Sequence, residues 1–306
     1  MRNPSFAFTA FAGLLFFGFV WGSTQPLTKI AVSTGYLPFG LIFWQLAIAV
    51  VLIGPVLLAN NIKVPFDRKH LLYFAGVALF GTLVPNSFSY LAAAKLPAGI
   101  MALVVSTVPI FSLVIALGVG NERFLLSRTA GIFLGVAAMM MIALPEASLP
   151  VAGQGFWVLV ALIAPFCYGV EGNFVAKLVP PNLNPMAALW AASLLGLTVV
   201  TPLALATNQF INPMVPWGAA EWALFVSSIS HAIAYSGFMW LIGYAGIVFT
   251  TQIAYVVTIA AIVIAIVFLG ETYSGWVWLA IGLMLSGLLL VQPVGKLPEL
   301  DETEEA

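Results

Sequence analysis

Apolar residues run along this chain in uninterrupted blocks of about 18 to 23, the length a helix rising 1.5 Å per residue needs to cross some 30 Å of hydrocarbon. The pattern predicts spans at 8-30, 38-59, 71-92, 98-118, 127-144, 156-177, 185-205, 221-243, 246-268 and 275-292. Transmembrane β-strands would instead alternate in polarity over segments of about ten residues, a pattern the chain does not show. Breaks between the blocks carry turn chemistry: Gly35 to Pro38, Asn60 to Pro65, Lys95 to Pro97, Pro145 to Pro150, Pro180 to Pro185 and Asn208 to Pro216. The expected fold is an all-α polytopic membrane protein of ten transmembrane helices, with no loop long enough for a soluble domain.

Composition sharpens this picture. Hydrophobic residues make up 62% of the 306 and charged residues 7%, against about 25% charged in an ordinary soluble domain. A formal net charge of -1 gives no electrostatic basis for binding nucleic acid. The single cysteine, Cys167, lies in an apolar block and reads as a small buried hydrophobe, which sets aside an intrachain disulfide and thiolate zinc. No small-residue cleavage site follows the first block, so that block is read as a retained helix. The acidic residues Glu299 to Glu305 read as a solvated, disordered tail over 293-306.

Placing the N-terminus in the cytoplasm puts Arg2, Lys63, Arg68, Lys69, Arg123, Arg128, Lys177 and Lys296 inside, and only Lys29 and Lys95 outside. That asymmetry follows the positive-inside rule, and an even helix count brings both termini to the cytoplasm. A bacterial inner membrane is the simplest location.

The two halves, 8-144 and 156-292, resemble each other at an offset of about 148 residues. Trp21-Gly22 precedes Lys29, and Tyr168-Gly169 precedes Lys177. Asn121-Glu122 ends the fourth span as Gly270-Glu271 ends the ninth. Five helices is an odd number, so the halves are expected to enter the membrane in opposite senses. Such inverted repeats suit alternating access at a central site.

Trp21-Gly22-Ser23 with Lys29, the run Gly172-Asn173-Phe174-Val175-Ala176-Lys177, Pro109 thirteen residues before Glu122, and Gly270-Glu271 together resemble the EamA-type branch of the drug/metabolite transporter superfamily. The resemblance covers residues 8 to 292 and rests on the order and duplication of short motifs. It implies a ten-helix secondary carrier of small metabolites, often an amino-acid exporter, with a cavity between the halves. Thr258, aligned with Pro109, and Pro26 within the first span depart from the pattern.

Glu171 is the sharpest candidate, because a carboxylate within an apolar helix costs about 2.5 to 3.5 kcal/mol on insertion scales. It could exchange a proton or meet a substrate amine; the bland reading is a partner for a nearby polar group. His231, among Ser227, Ser228, Ser230 and Tyr235, could relay a proton with Glu171 or serve as a hydrogen-bonded packing residue. Asn86 and Tyr90 share a helix face beside Pro85, as do Gln252 with Tyr255 and Trp21 with Gln25. With Tyr168 and Asn173 they complete the candidate substrate or coupling set. The competing reading of each is helix-helix hydrogen bonding or interfacial packing. Lys29 and Lys177 read as snorkelling anchors or as gating charges, and the Gly18/Gly22 and Gly131/Gly135 spacings as close helix contacts.

The function expected is secondary transport of a small organic metabolite, amino acids or amino-acid-like compounds first, in the export direction. The lipid bilayer is the surrounding partner, protons are the candidate coupling ion, and a monomer or homodimer is expected. No cofactor or metal site is read from the sequence. A broad-specificity drug exporter is the alternative within transport; a membrane sensor or an intramembrane enzyme is the alternative of another class. The chain has no Walker, HExxH or GxSxG motif.

Overall fold

A computed structural model describes residues 4–120, 125–144, 149, 151, 153–214, 216–245, 250 and 252–291. Arg2, Asn121, Glu122, Arg123, Lys296 and the 293–306 tail lie outside the described residues. The described residues are predominantly helical. The helices are α1 (Pro4–Gly22) and α2 (Thr24–Ala31), α3 (Pro38–Ala59), α4 (Arg68–Ala78) and α5 (Val84–Ala93) joined by a π-helical turn at Leu79–Leu83, then α6 (Ala98–Val105), α7 (Val108–Gly118) and α8 (Leu126–Ala143). The second half contains α9 (Gln154–Ala161), α10 (Ile163–Leu178), α11 (Pro185–Ala206), α12 (Ala219–Ala245), α13 (Ile253–Leu269) and α14 (Gly275–Val291). No strand occurs among the described residues.

Among the described residues, seven helical segments are long and apolar enough to cross a membrane, and Ile253–Leu269 and Gly275–Leu290 are shorter apolar helices. The 27 residues of α12 are also long enough to span. The chain is a multi-pass membrane protein.

Four spans are broken, and proline explains each break. Proline lacks an N–H and its ring crowds the carbonyl four residues earlier. Pro26, Pro109 and Pro165 lie four residues after Gly22, Val105 and Ala161, where α1, α6 and α9 end. Pro85 lies four residues after Gly81, within the π turn. Hydroxyls bond back to carbonyls at two of these breaks: Ser23 Oγ and Thr24 Oγ1 donate to the Val20 and Trp21 carbonyls, and Ser106 Oγ and Thr107 Oγ1 to those of Leu103 and Val104, all within 2.6 to 2.7 Å. The first span, read from sequence as one helix, is interrupted at Ser23 between α1 and α2 while remaining one apolar span, Phe8–Ala31.

At one end of the bundle Asp67 caps α4, accepting from the Lys69 and His70 amides at 3.1 and 3.4 Å. Asn184 caps α11 in the same way, through Met186 and Ala187. Pairing of elements is reciprocal between the halves. The α1–α2 span packs on α12 and α13, as α9–α10 packs on α5 and α7; α3 pairs with α11, α8 with α14, and α6 with α13. Gly22 and Gly169 permit the two corresponding approaches. A Cβ on Gly22 would lie 2.7 Å from the Val257 carbonyl oxygen, and one on Gly169 would lie 2.9 Å from the Ser112 nitrogen. Gly135, from the other close-contact spacing, likewise backs onto Gly287 of α14. The glycine spacings thus serve contacts inside the chain.

Candidate functional site

Between the halves, four polar side chains form one network. Asn86 Nδ2 donates to Gln45 Oε1 at 2.9 Å, and the Tyr90 hydroxyl donates to the same oxygen at 2.7 Å. The Tyr168 hydroxyl donates to Asn86 Oδ1 at 2.9 Å. Three of these residues were expected from sequence, and α5 presents Asn86 and Tyr90 one turn apart as their spacing requires. Gln45 was missed. Its signal is the one amide in the otherwise apolar run of α3, since a lone amide in hydrocarbon needs a partner.

Glu171, one turn beyond Tyr168 on α10, occupies the space left by the absent side chain of Gly81; a Cβ there would collide with both carboxylate oxygens. The π turn set by Pro85 carries Gly81, and π turns recur at functional sites because they displace backbone from the regular ladder. Tyr73, Tyr168 and Tyr235 stand within electrostatic range of the carboxylate. Phe174 stacks on Tyr73 with ring centroids 5.7 Å apart. The Glu171 carboxylate accepts no hydrogen bond among the described residues, and the residue as a whole keeps partial exposure. A carboxylate inside the bundle, without a protein donor among the described residues, can take up a proton or meet a cationic group.

The remaining candidates fall elsewhere. His231 packs edge-on against Trp21, centroids 5.9 Å apart, and Trp21 also meets Phe238 at 5.7 Å. His231 lies one turn from Tyr235 on α12, but among the described residues no hydrogen bond joins it to Glu171. The structure therefore does not assemble the direct two-residue relay. Asn173 turns away from the network and binds the Ser112 carbonyl, Ser112 Oγ and the Gly169 carbonyl at 2.9 to 3.2 Å, tying α10 to α7. That is the helix-bridging reading of Asn173. Gln25 is half-buried in the first turn of α2. Gln252 precedes α13, and Tyr255 packs on the main core. Lys29 Nζ donates to the Ala93 carbonyl at 2.8 Å, whereas Lys177 is exposed.

A helical membrane bundle whose halves enclose a polar network and an unpartnered carboxylate has the build of a membrane transporter. The description "EamA-like transporter family" belongs to a family model that matches residues 8–144 and again 155–292. The chain belongs to that family, within the drug/metabolite transporter superfamily its motifs resemble. It is 25% identical over 285 residues to the "Uncharacterized inner membrane transporter YedA" of Escherichia coli K12, covering 92% of this chain and 90% of that protein. The YedA proteins of the O6:H1 and O157:H7 strains match to the same extent. One solved chain, described only as "Crystal structure of protein", shares the fold with a TM-score of 0.59 at 19% identity, over 90% of this chain and 94% of its own.

Proposed function

We propose that this chain is a secondary transporter that moves a small organic metabolite across the bacterial inner membrane by alternating access. Glu171 is the group that meets the substrate or the coupling proton. The observation that carries this reading is its carboxylate, held within the bundle over Gly81 and lacking a protein donor. Keeping such a group in a membrane interior is costly, and a ligand or proton that offsets the cost during the cycle accounts for it. Amino acids and amino-acid-like compounds, in the export direction, are the substrates the family resemblance favours. Their ammonium group suits Glu171, and the tyrosines around it add contact area and cation-π attraction.

The reciprocal helix pairings and the doubled family match support two inverted repeats of five helices in a ten-helix chain. The basic-residue asymmetry then puts both termini and the Lys177 end in the cytoplasm, and the Lys29 end outside. The test is counterflow. Proteoliposomes loaded with one unlabelled amino acid at a time should accumulate the labelled form only when it is a substrate, and Glu171→Gln should abolish the accumulation. Accumulation of chemically unrelated amphiphiles instead would favour the broad-specificity exporter, to which the Trp21–Phe238 and Tyr73–Phe174 aromatic pairs offer apolar surface. Ohmic flux without counterflow would remove the carrier reading.

A further inference from the structure

The Lys29 end of the bundle is fastened between the halves by polar contacts. The Tyr36 hydroxyl bonds the Glu221 carboxylate. The Phe39 amide donates to Gln209 Oε1 at 3.0 Å, and Trp44 Nε1 to the Ile211 carbonyl at 2.9 Å. These join the start of α3 to α12 and the loop before it. A second group acts on the α5–α6 corner. Gln154 Nε2 donates to the Lys95 carbonyl at 2.5 Å. The Glu271 carboxylate, from the loop between α13 and α14, accepts the first two amides of α6, Ala98 at 2.7 Å and Gly99 at 3.2 Å. It also accepts the Tyr273 hydroxyl at 2.5 Å.

The corner is clamped by opposite charges matched to the helix ends they touch. Lys29 holds the carbonyl end of α5 through Ala93 and lies within the field of Glu271. Glu271 holds the amide end of α6. A cation at a helix C-terminus and an anion at an N-terminus each complement the local partial charge, and the free amides of a first turn need an acceptor in any case. Glu271 differs from an ordinary cap in belonging to the other half of the chain. Its bonds therefore exist only while the α13–α14 corner rests against the α5–α6 corner. Water can replace a carboxylate at a helix end, so the contact is releasable. At the opposite end Lys177, the repeat counterpart of Lys29, is exposed and makes no hydrogen bond among the described residues.

We propose that Glu271, backed by Tyr273 and Lys29, is the latch that holds the Lys29 end shut, and that release of Glu271 from the Ala98 and Gly99 amides is the step that opens that end. The proposal rests on the carrier reading above. It assigns to these residues a role in the transport cycle separate from contact with substrate.

The experiment uses the full chain carrying Cys167→Ser and a reporter cysteine, Gln45→Cys, at the hub of the central network. The protein is held in sealed vesicles of each orientation and exposed to a membrane-impermeant maleimide. The reporter is expected to react faster from the Lys177 face than from the Lys29 face. Adding Glu271→Ala is expected to raise the rate from the Lys29 face by about tenfold and to lower it from the other, as a shifted two-state population requires. Gly99→Ala provides a second route, because its methyl group would take the place of the Tyr273 hydroxyl while leaving the Glu271 carboxylate in the chain; it should redistribute reactivity in the same direction. Rates that stay one-sided and unchanged in both variants, or that rise equally from both faces, overturn the latch alone. A reporter that reacts equally from both faces before any latch substitution removes the carrier reading, and the latch with it.

Discussion

A carboxylate left without a donor inside a membrane bundle governs the residue scale of this protein. Glu171→Gln keeps the shape and removes the charge, so the variant should fold with unchanged or slightly higher thermal stability and lose substrate-coupled flux, measured as counterflow beside a melting curve. Gly81→Ala attacks the same site from the opposite wall. Its methyl group would collide with the carboxylate oxygens, and flux should fall about tenfold or more while Glu171 itself is untouched; a displacement of about 1 Å at a positioned group is enough for losses of that size or larger. Outside the membrane, the His70 contact and the local amides hold the Asp67 carboxyl below its ordinary range. Its folded-state pKa is depressed, so its contribution to the α4 cap is present above the usual Asp range and is lost as pH falls through the lowered value. Hydrogen exchange at the Lys69 and His70 amides, corrected for the intrinsic pH dependence, should lose protection over that acid interval. Sequence made Glu171, Asn86, Tyr90 and Tyr168 visible because polar groups in apolar runs are costly. It did not reveal that Tyr168 bonds Asn86 across the halves, that Gln45 is the shared acceptor, or that His231 stands apart from Glu171. Those facts depend on how helices rotate against one another, which one chain's periodicity does not specify.

At the scale of elements, the recurring event is a proline breaking a helix one turn before itself. Turn residues and apolar length located the spans, but continuous hydropathy concealed the breaks at Gly22-Ser23, Ser106-Thr107 and Leu162, since a bent helix is as apolar as a straight one. The prolines were legible; the backbone response at each one depends on neighbouring helices and hydroxyls that satisfy the freed groups. Pro85→Ala restores an amide donor to the π turn that carries Gly81. The variant is expected to gain about 1–3 kcal/mol in helix stability and to lose flux, as Gly81 rotates away from Glu171. Increased exchange protection over 81–85 together with reduced counterflow would verify this, and unchanged flux would separate the π turn from function. Asn184→Ala, which removes the cap of α11 far from the network, should cost about 1 kcal/mol and leave substrate affinity unaltered, as read by melting temperature and the concentration dependence of flux.

Across the whole molecule, the pairings of α1–α2 with α12 and α13 and of α9–α10 with α5 and α7 reproduce one plan in both halves. The duplicated motifs at the 148-residue offset are the signal in the sequence for two units, and the proposed pair of repeats rests on them together with the doubled family match. The closure of the Lys29 end was not legible, because Glu271 and the α6 amides lie 172 or more residues apart in sequence and only the assembled halves bring them together. In the proposed carrier, movement of substrate is coupled to occupancy of the interior carboxylate of Glu171. The most direct test is proton movement in proteoliposomes containing a pH-sensitive dye, with wild type and Glu171→Gln compared over a panel of amino acids and related amines, and empty liposomes as baseline. One substrate class should move protons through the wild type, and the variant, folded and inserted, should move none. An equal proton signal from the variant would contradict that coupling.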